Sequence, residues 1–119
     1  MAFEYQIEKN QDVICVDMNG RLMDKLEAVG ISVDIEDALN AGSNKFIVDL
    51  NDLEYMNSTG LNILINLMNK ARESGGEVVI SGAKPRISAL FTVTKLNTVF
   101  TLVESFDDAL THFESHKNS

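Results

Sequence analysis

The chain has 119 residues, of which 45% are hydrophobic and 24% are charged, the composition of an ordinary globular domain rather than a fibrous or disordered protein. Its 18 acidic and 10 basic residues give a net charge of −8, which argues against direct binding to nucleic acid or to anionic membranes, because both require a basic protein surface. No segment approaches the roughly 20 apolar residues that span a bilayer, and the N-terminus lacks the apolar core of a signal peptide. We therefore expect a cytoplasmic protein with a single domain over residues 1–119, in which residues 115–119 form a disordered tail.

The first two predicted elements are strands. Phe3, Tyr5 and Ile7 alternate with polar residues, which is typical of a half-buried strand at the edge of a sheet. A polar turn at residues 10–12 leads to an apolar run at residues 13–18, which predicts a second strand. The two strands are expected to pair as a hairpin.

A helix and a central strand follow. Residues 24–41 predict a helix that is capped by Asp24 and stopped by Gly42. Its buried apolar face is expected to consist of Leu26, Val29, Val33 and Ala38. The nearly continuous apolar run at residues 46–50 predicts a strand that is covered on both faces.

The clearest helix covers about residues 59–73 and ends at the glycine pair of residues 75 and 76. Its apolar stripe consists of Leu61, Leu64, Ile65 and Met68. Its opposite face carries Asn62, Asn66 and Asn69, which we expect to be exposed to solvent and available to a protein partner.

The remaining residues predict two further strand–helix units. Residues 77–81 form a short strand, and Pro85 begins a helix that runs to about residue 95. Residues 99–103 form a last strand, and Ser105 caps a final helix. The order β-β-α-β-α-β-α-β-α predicts an α/β fold, with a mixed sheet of four to five strands flanked by about four helices.

Few residues in the chain offer enzyme or metal chemistry. Cys15 lies in an apolar run, which favours a buried structural thiol. His112 and His116 are four residues apart but have no third ligand nearby, so we expect them to be exposed side chains near the C-terminus. The sequence therefore predicts no catalytic residues, no metal site and no cofactor.

One segment has the features of a functional site. Residues 52–61, DLEYMNSTGL, leave the central strand and enter the clearest helix. In an open α/β sheet this turn lies at the carboxyl ends of the strands, where binding sites form, and the helix start offers unpaired N–H groups. Ser58 is then either the N-cap of the helix or an accessible hydroxyl at a place that tolerates an anion.

The same segment resembles the signature of STAS-domain anti-sigma factor antagonists. That family has D-L-S-x-(aromatic)-M-D-S-(S/T)-G-L-G after a strand, and this chain has DLEYMNSTGLN at residues 52–62. Gly20 and Leu22 match the family's G-x-L-D, and the order of elements agrees with a STAS-like fold. Asn57 replaces the family's aspartate, and Met23 replaces its other acidic residue, with Asp24 one place later.

The resemblance implies a partner-switching function. In the family, the unphosphorylated antagonist binds an anti-sigma factor that is also a serine kinase, and this frees the sigma factor. Phosphorylation at the position of Ser58, with Thr59 as the alternative hydroxyl, ends the binding, and a serine phosphatase restores it. The resemblance also implies a partner-binding surface, which contains Gly20, Leu22, Met23, Asp24, Met56, Asn57, Ser58, Thr59, Gly60, Asn62 and Asn66.

Two other functions stay open at this point. A STAS adaptor that is not phosphorylated, acting in a signalling or lipid-transport complex, would bind its partner whatever the state of Ser58. A small-ligand or nucleotide-binding domain would hold phosphate at the helix start, although the chain has no glycine-rich loop of the usual form.

Overall fold

A computed structural model describes residues 3–115 and confirms the predicted order of strands and helices, with one added 3₁₀ turn. The strands are β1 (Glu4–Asn10), β2 (Val13–Leu22), β3 (Lys45–Met56), β4 (Glu77–Ser81) and β5 (Thr101–Val103). The helices are α1 (Lys25–Asn40), α2 (Ser58–Glu73), α3 (Pro85–Val93) and α4 (Phe106–Ser115), with the 3₁₀ turn at Leu96–Thr98. The predicted tail beyond residue 115, including His116, lies outside the described residues.

The five strands form one mixed sheet in the order β1-β2-β3-β4-β5. The hairpin pair β1 and β2 is antiparallel and the other neighbours are parallel, so β1 is an edge strand as predicted. Helices α1, α2 and α3 pack on one face of the sheet and form the larger core, whereas α4 covers part of the other face. None of the described helices is long and apolar enough to cross a membrane.

Strands β2 and β3 are longer than the sequence predicts. We expected them to end near residues 18 and 50, yet they run to Leu22 and Met56 because their last residues pair with each other. The register shifts on either side of Gly20, whose φ of 86° favours glycine. Because β4 pairs with β3 only as far as Asp49, the β2–β3 ribbon projects beyond β4.

The predicted buried face of α1 is wrong. Leu26, Val29 and Val33 are exposed to 82%, 55% and 53%, and the helix instead buries Ala28, Ile31 and Ile35. Ala38 is only partly buried. Apolar residues recur at a spacing of three to four on both sides of this helix, so periodicity alone does not decide which side meets the sheet.

The later boundaries differ slightly from the predictions. Helix α3 begins at Pro85 as predicted but ends at Val93, about two residues early, and the 3₁₀ turn at Leu96–Thr98 follows it. Strand β5 is shorter than the predicted strand. Ser105 caps α4 as predicted, since its Oγ accepts from the backbone N–H of Asp108 at 3.1 Å.

Candidate functional site

Ser58 is the first residue of α2 and is not the helix N-cap. Asn57 is the N-cap, because its Oδ1 accepts from the backbone N–H of Thr59 at 2.9 Å. The N-cap interpretation of Ser58 is therefore wrong. The Ser58 residue is exposed, and capping does not occupy its hydroxyl.

Asn57 also connects two segments that are far apart in the sequence. Its Nδ2 donates to the carbonyl oxygen of Met23 at 2.8 Å, and its backbone N–H donates to the carbonyl oxygen of Leu22 at 3.2 Å. The turn between β2 and α1 is thereby fixed beside the start of α2. These bonds place the end of β2 and the residue after it beside the start of α2.

The base of the site is apolar and tightly packed. Leu22 and Met56 are buried, at 0% and 1% exposure. A Cβ at Gly60 would lie 2.9 Å from Met56 Cβ and 3.0 Å from Leu22 Cδ2, so only glycine fits there without displacement. Gly20 is buried as well. These four predicted partner residues are therefore buried and form the support beneath the surface that the other predicted partner residues present.

The remaining predicted partner residues are at the surface. Met23, Asp24, Ser58, Asn62 and Asn66 are exposed, and Asn57 and Thr59 are partly exposed. Asp24 is also the N-cap of α1, since its Oδ1 accepts from the backbone N–H of Leu26 at 2.8 Å. The starts of two helices therefore lie side by side at the tip of the β2–β3 ribbon.

The first turn of α2 differs in charge from the whole chain. The first turn of α2 contains no acidic residue, although the chain carries a net charge of −8. The helix dipole therefore gives this end a partial positive charge that no carboxylate of that turn offsets. Arg21 stacks over the ring of Tyr55, with 5.2 Å between the guanidinium carbon and the ring centroid, and holds a second positive charge on the same ribbon.

Cys15 and His112 both differ from their predicted burial, in opposite directions. Cys15 is only partly buried, and burial raises the pKa of its thiol, with smaller contributions from Glu8 and Asp49. His112 is not an exposed side chain: it is 21% exposed, and its Nε2 lies 2.9 Å from Glu77 Oε1. Within residues 3–115, no three His, Cys, Asp or Glu side chains converge to form a metal site.

Comparison with known proteins relates the whole domain to one family. The sequence profile of the STAS domain matches residues 4–109. The anti-sigma F factor antagonist of Paenibacillus polymyxa is 23% identical over 115 residues, which are 96% of this chain and 97% of that protein.

Solved structures share the fold. An anti-sigma factor antagonist from Mycobacterium paratuberculosis has 24% sequence identity and a TM-score of 0.82, over 92% of each chain. The Bacillus cell fate determinant SpoIIAA in its phosphorylated form has 17% identity and a TM-score of 0.77, over 92% of this chain and 98% of that one. Both superpositions extend over nearly the full length of the described domain.

Proposed function

The chain belongs to the STAS domain family, and we propose that its 119 residues act as one cytoplasmic domain, an anti-sigma factor antagonist switched at Ser58. In its unmodified form it binds an anti-sigma factor that is also a serine kinase, and the sigma factor is released. That kinase then transfers the γ-phosphoryl group of ATP to the Ser58 hydroxyl, which ends the binding. A serine phosphatase removes the phosphate and restores the active form.

The observation that carries this proposal is the exposed Ser58 hydroxyl at the first residue of α2. Asn57 performs the capping that a serine at a helix start would otherwise provide. Ser58 is thus a surface hydroxyl in the position of the family's modified serine, and one of the similar structures is a phosphorylated one. Thr59 is partly buried, which makes it the less accessible of the two hydroxyl residues.

Phosphorylation at this position acts on binding rather than on folding. A phosphoserine adds about −1.5 to −2 charges at neutral pH. The start of α2 tolerates that charge, because the helix dipole favours an anion and the first turn holds no carboxylate. Inside a protein interface, however, an unpaired charge is costly to bury. The modified protein therefore stays folded while its complex dissociates.

Intact-mass spectrometry tests the modification. The purified protein is incubated with Mg-ATP and, in turn, each serine kinase of the histidine-kinase-like fold that its source organism encodes. We expect one added phosphate on the wild type and on Thr59→Ala, and none on Ser58→Ala. A phosphate that persists on Ser58→Ala would assign the switch to another residue.

One observation favours a second candidate, a STAS adaptor that is not phosphorylated. The family's aspartate before the serine is Asn57 here, and its amide donates to Met23 rather than offering a carboxylate beside the hydroxyl. If a kinase-fold partner binds the chain but adds no phosphate, the adaptor function is favoured. Phosphorylation gained in Asn57→Asp would then identify the amide as the cause.

A further inference from the structure

The solvent face of α1 and the turn before it carry a line of exposed apolar side chains. Met23, Leu26, Val29 and Val33 are 48%, 82%, 55% and 53% exposed, and we call them the α1 ridge. Their spacing of three to four residues places the helical members on one face. Val93 on α3 is the one other large apolar side chain that is prominently exposed in the described part of the chain. Single exposed apolar residues are normal on a surface, but a continuous group marks an interaction site.

The ridge adjoins the start of α2, where Ser58 lies. Its first member, Met23, accepts a hydrogen bond from Asn57 Nδ2 through its carbonyl oxygen at 2.8 Å. Asn57 in turn precedes Ser58 directly. A partner that reaches Ser58 therefore meets the beginning of the ridge at the same contact.

The charges beside the ridge indicate what kind of partner fits. Helix α1 contains four acidic residues, Glu27, Asp34, Glu36 and Asp37, and one basic residue, Lys25. Glu36 is paired with Lys70 of α2. Glu27 accepts from the backbone N–H of Phe3 and Asp34 from the hydroxyl of Tyr5, and these neutral donors leave the two negative charges in place. The ridge is thus an apolar strip with an acidic border.

This border argues against two other occupants. A second copy of the chain would bring its own acidic border against this one, and each copy carries a net charge of −8. An anionic lipid surface would be repelled for the same reason. A segment with apolar side chains between lysines and arginines has the complementary pattern.

We propose that the α1 ridge docks a basic amphipathic helix of the anti-sigma factor, next to the Ser58 switch. The apolar side chains of that helix cover Leu26, Val29 and Val33, and its basic side chains face the acidic border. This inference rests on the proposed function and adds a division of roles to it. The ridge supplies affinity that modification does not alter, whereas Ser58 decides whether the adjoining contact can form.

Isothermal titration calorimetry tests the ridge directly. The probe is the kinase-fold anti-sigma factor of the source organism, titrated in Mg-ADP so that no phosphate is transferred. We expect Leu26→Ser/Val33→Ser to weaken binding about ten-fold or more, as the loss of central apolar contacts does in other interfaces. Val93→Ser, the same kind of change on α3, should leave affinity unchanged. The wild-type affinity should fall as salt is raised from low to high ionic strength.

The outcomes separate the ridge from the switch. All three substituted side chains are largely exposed, so thermal melts of the variants should match that of the wild type. Unchanged affinity of the ridge variant, together with loss of binding in Ser58→Glu, would overturn the ridge and leave the proposed function intact. Failure of the wild type to bind any of the kinases would overturn both the ridge proposal and the proposed function. Wild-type dimers in sedimentation velocity that disappear in the ridge variant would assign the ridge to a second copy and overturn the proposal.

Discussion

Helices α1 and α2 start side by side at the same edge of the sheet, yet their solvent faces differ. The outer face of α2 presents Ser58 at its start and the exposed asparagines at 62, 66 and 69 along its length. The outer face of α1 presents Leu26, Val29 and Val33. Asn57 links the two starts through its hydrogen bond to Met23. Under the proposed function, modification of Ser58 would alter the α2 face and leave the α1 face unchanged, so the two faces would have different roles in binding.

Two glycines give the strongest test of how rigidly each helix is held. A Cβ at Gly60 of α2 meets the buried Met56 and Leu22 at 2.9–3.0 Å, so Gly60→Ala should lower the free energy of unfolding by about 1–3 kcal/mol. Urea denaturation followed by circular dichroism measures the effect.

The matched control is Gly30→Ala on α1. A Cβ there meets the side chain of Tyr5, whose hydroxyl is the nearest atom at 2.8 Å, and Gly30 and the Tyr5 hydroxyl group lie near the surface. The tyrosine side chain can move aside, and alanine is the better helix former. We expect a change smaller than about 1 kcal/mol. Equal losses at the two positions would contradict the view that only the start of α2 is tightly packed.

Asn57→Asp tests the link between the two helices. An aspartate can still accept from Thr59, but it cannot donate to the carbonyl oxygen of Met23 and would face it with a negative charge. We expect a loss of about 1 kcal/mol in the free energy of unfolding and faster hydrogen exchange in the residue 22–26 turn. Asn62→Asp is the same change on the exposed face of α2, and it should alter neither the free energy of unfolding nor the hydrogen exchange of the turn. Equal effects of the two substitutions would refute a role for the hydrogen bond between Asn57 and Met23.

The opposite face of the sheet provides the smallest effect and a control for binding. Asp17 lies there on β2, and Asp49 is its register partner on β3. Burial raises the pKa of Asp17 above its ordinary value of 3.8, and the charges of Asp49, Asp52 and Glu8 raise it further. The folded protein therefore holds this proton more tightly than the unfolded chain. Ionisation of Asp17 reduces stability as pH rises through the raised pKa.

Asp17→Asn removes this penalty. Its Tm should exceed that of the wild type by a few degrees at most at pH 7, and the difference should vanish below pH 3.8. Affinity for the anti-sigma factor should stay the same, because Asp17 lies away from the α1 and α2 faces. A Tm difference that grows as the pH falls would contradict a raised pKa of Asp17 in the folded protein.

The sequence predicts the fold well where the signals are local. The alternation of Phe3, Tyr5 and Ile7, the proline that begins α3 and the serine that caps α4 act within a few residues, and the structure confirms all of them. What the sequence could not predict depends on distant partners. Strands β2 and β3 extend because they pair with each other, and no pattern within either strand signals that extension.

The site follows the same rule. The position of Ser58 at the start of a helix was predictable, but the choice of Asn57 as N-cap was not, because both residue types cap helices well. The bond from Asn57 to Met23 spans 34 residues and leaves no local signal. Helix α1 has apolar residues on two sides, so the pattern predicts the ridge as its buried face although the other side meets the sheet. The only sign of the ridge in the sequence is that α1 has more apolar residues than one helix face can bury.

The affinity of the phosphorylated protein for the anti-sigma factor tests the central claim most directly. The chain, fully phosphorylated by its kinase and checked by intact mass, is titrated into that kinase in Mg-ADP beside the unmodified chain. The account predicts that modification of Ser58 weakens binding by about 100-fold or more, as expected when an unpaired charge worth several kcal/mol enters an interface. Equal affinities of the two forms would contradict it.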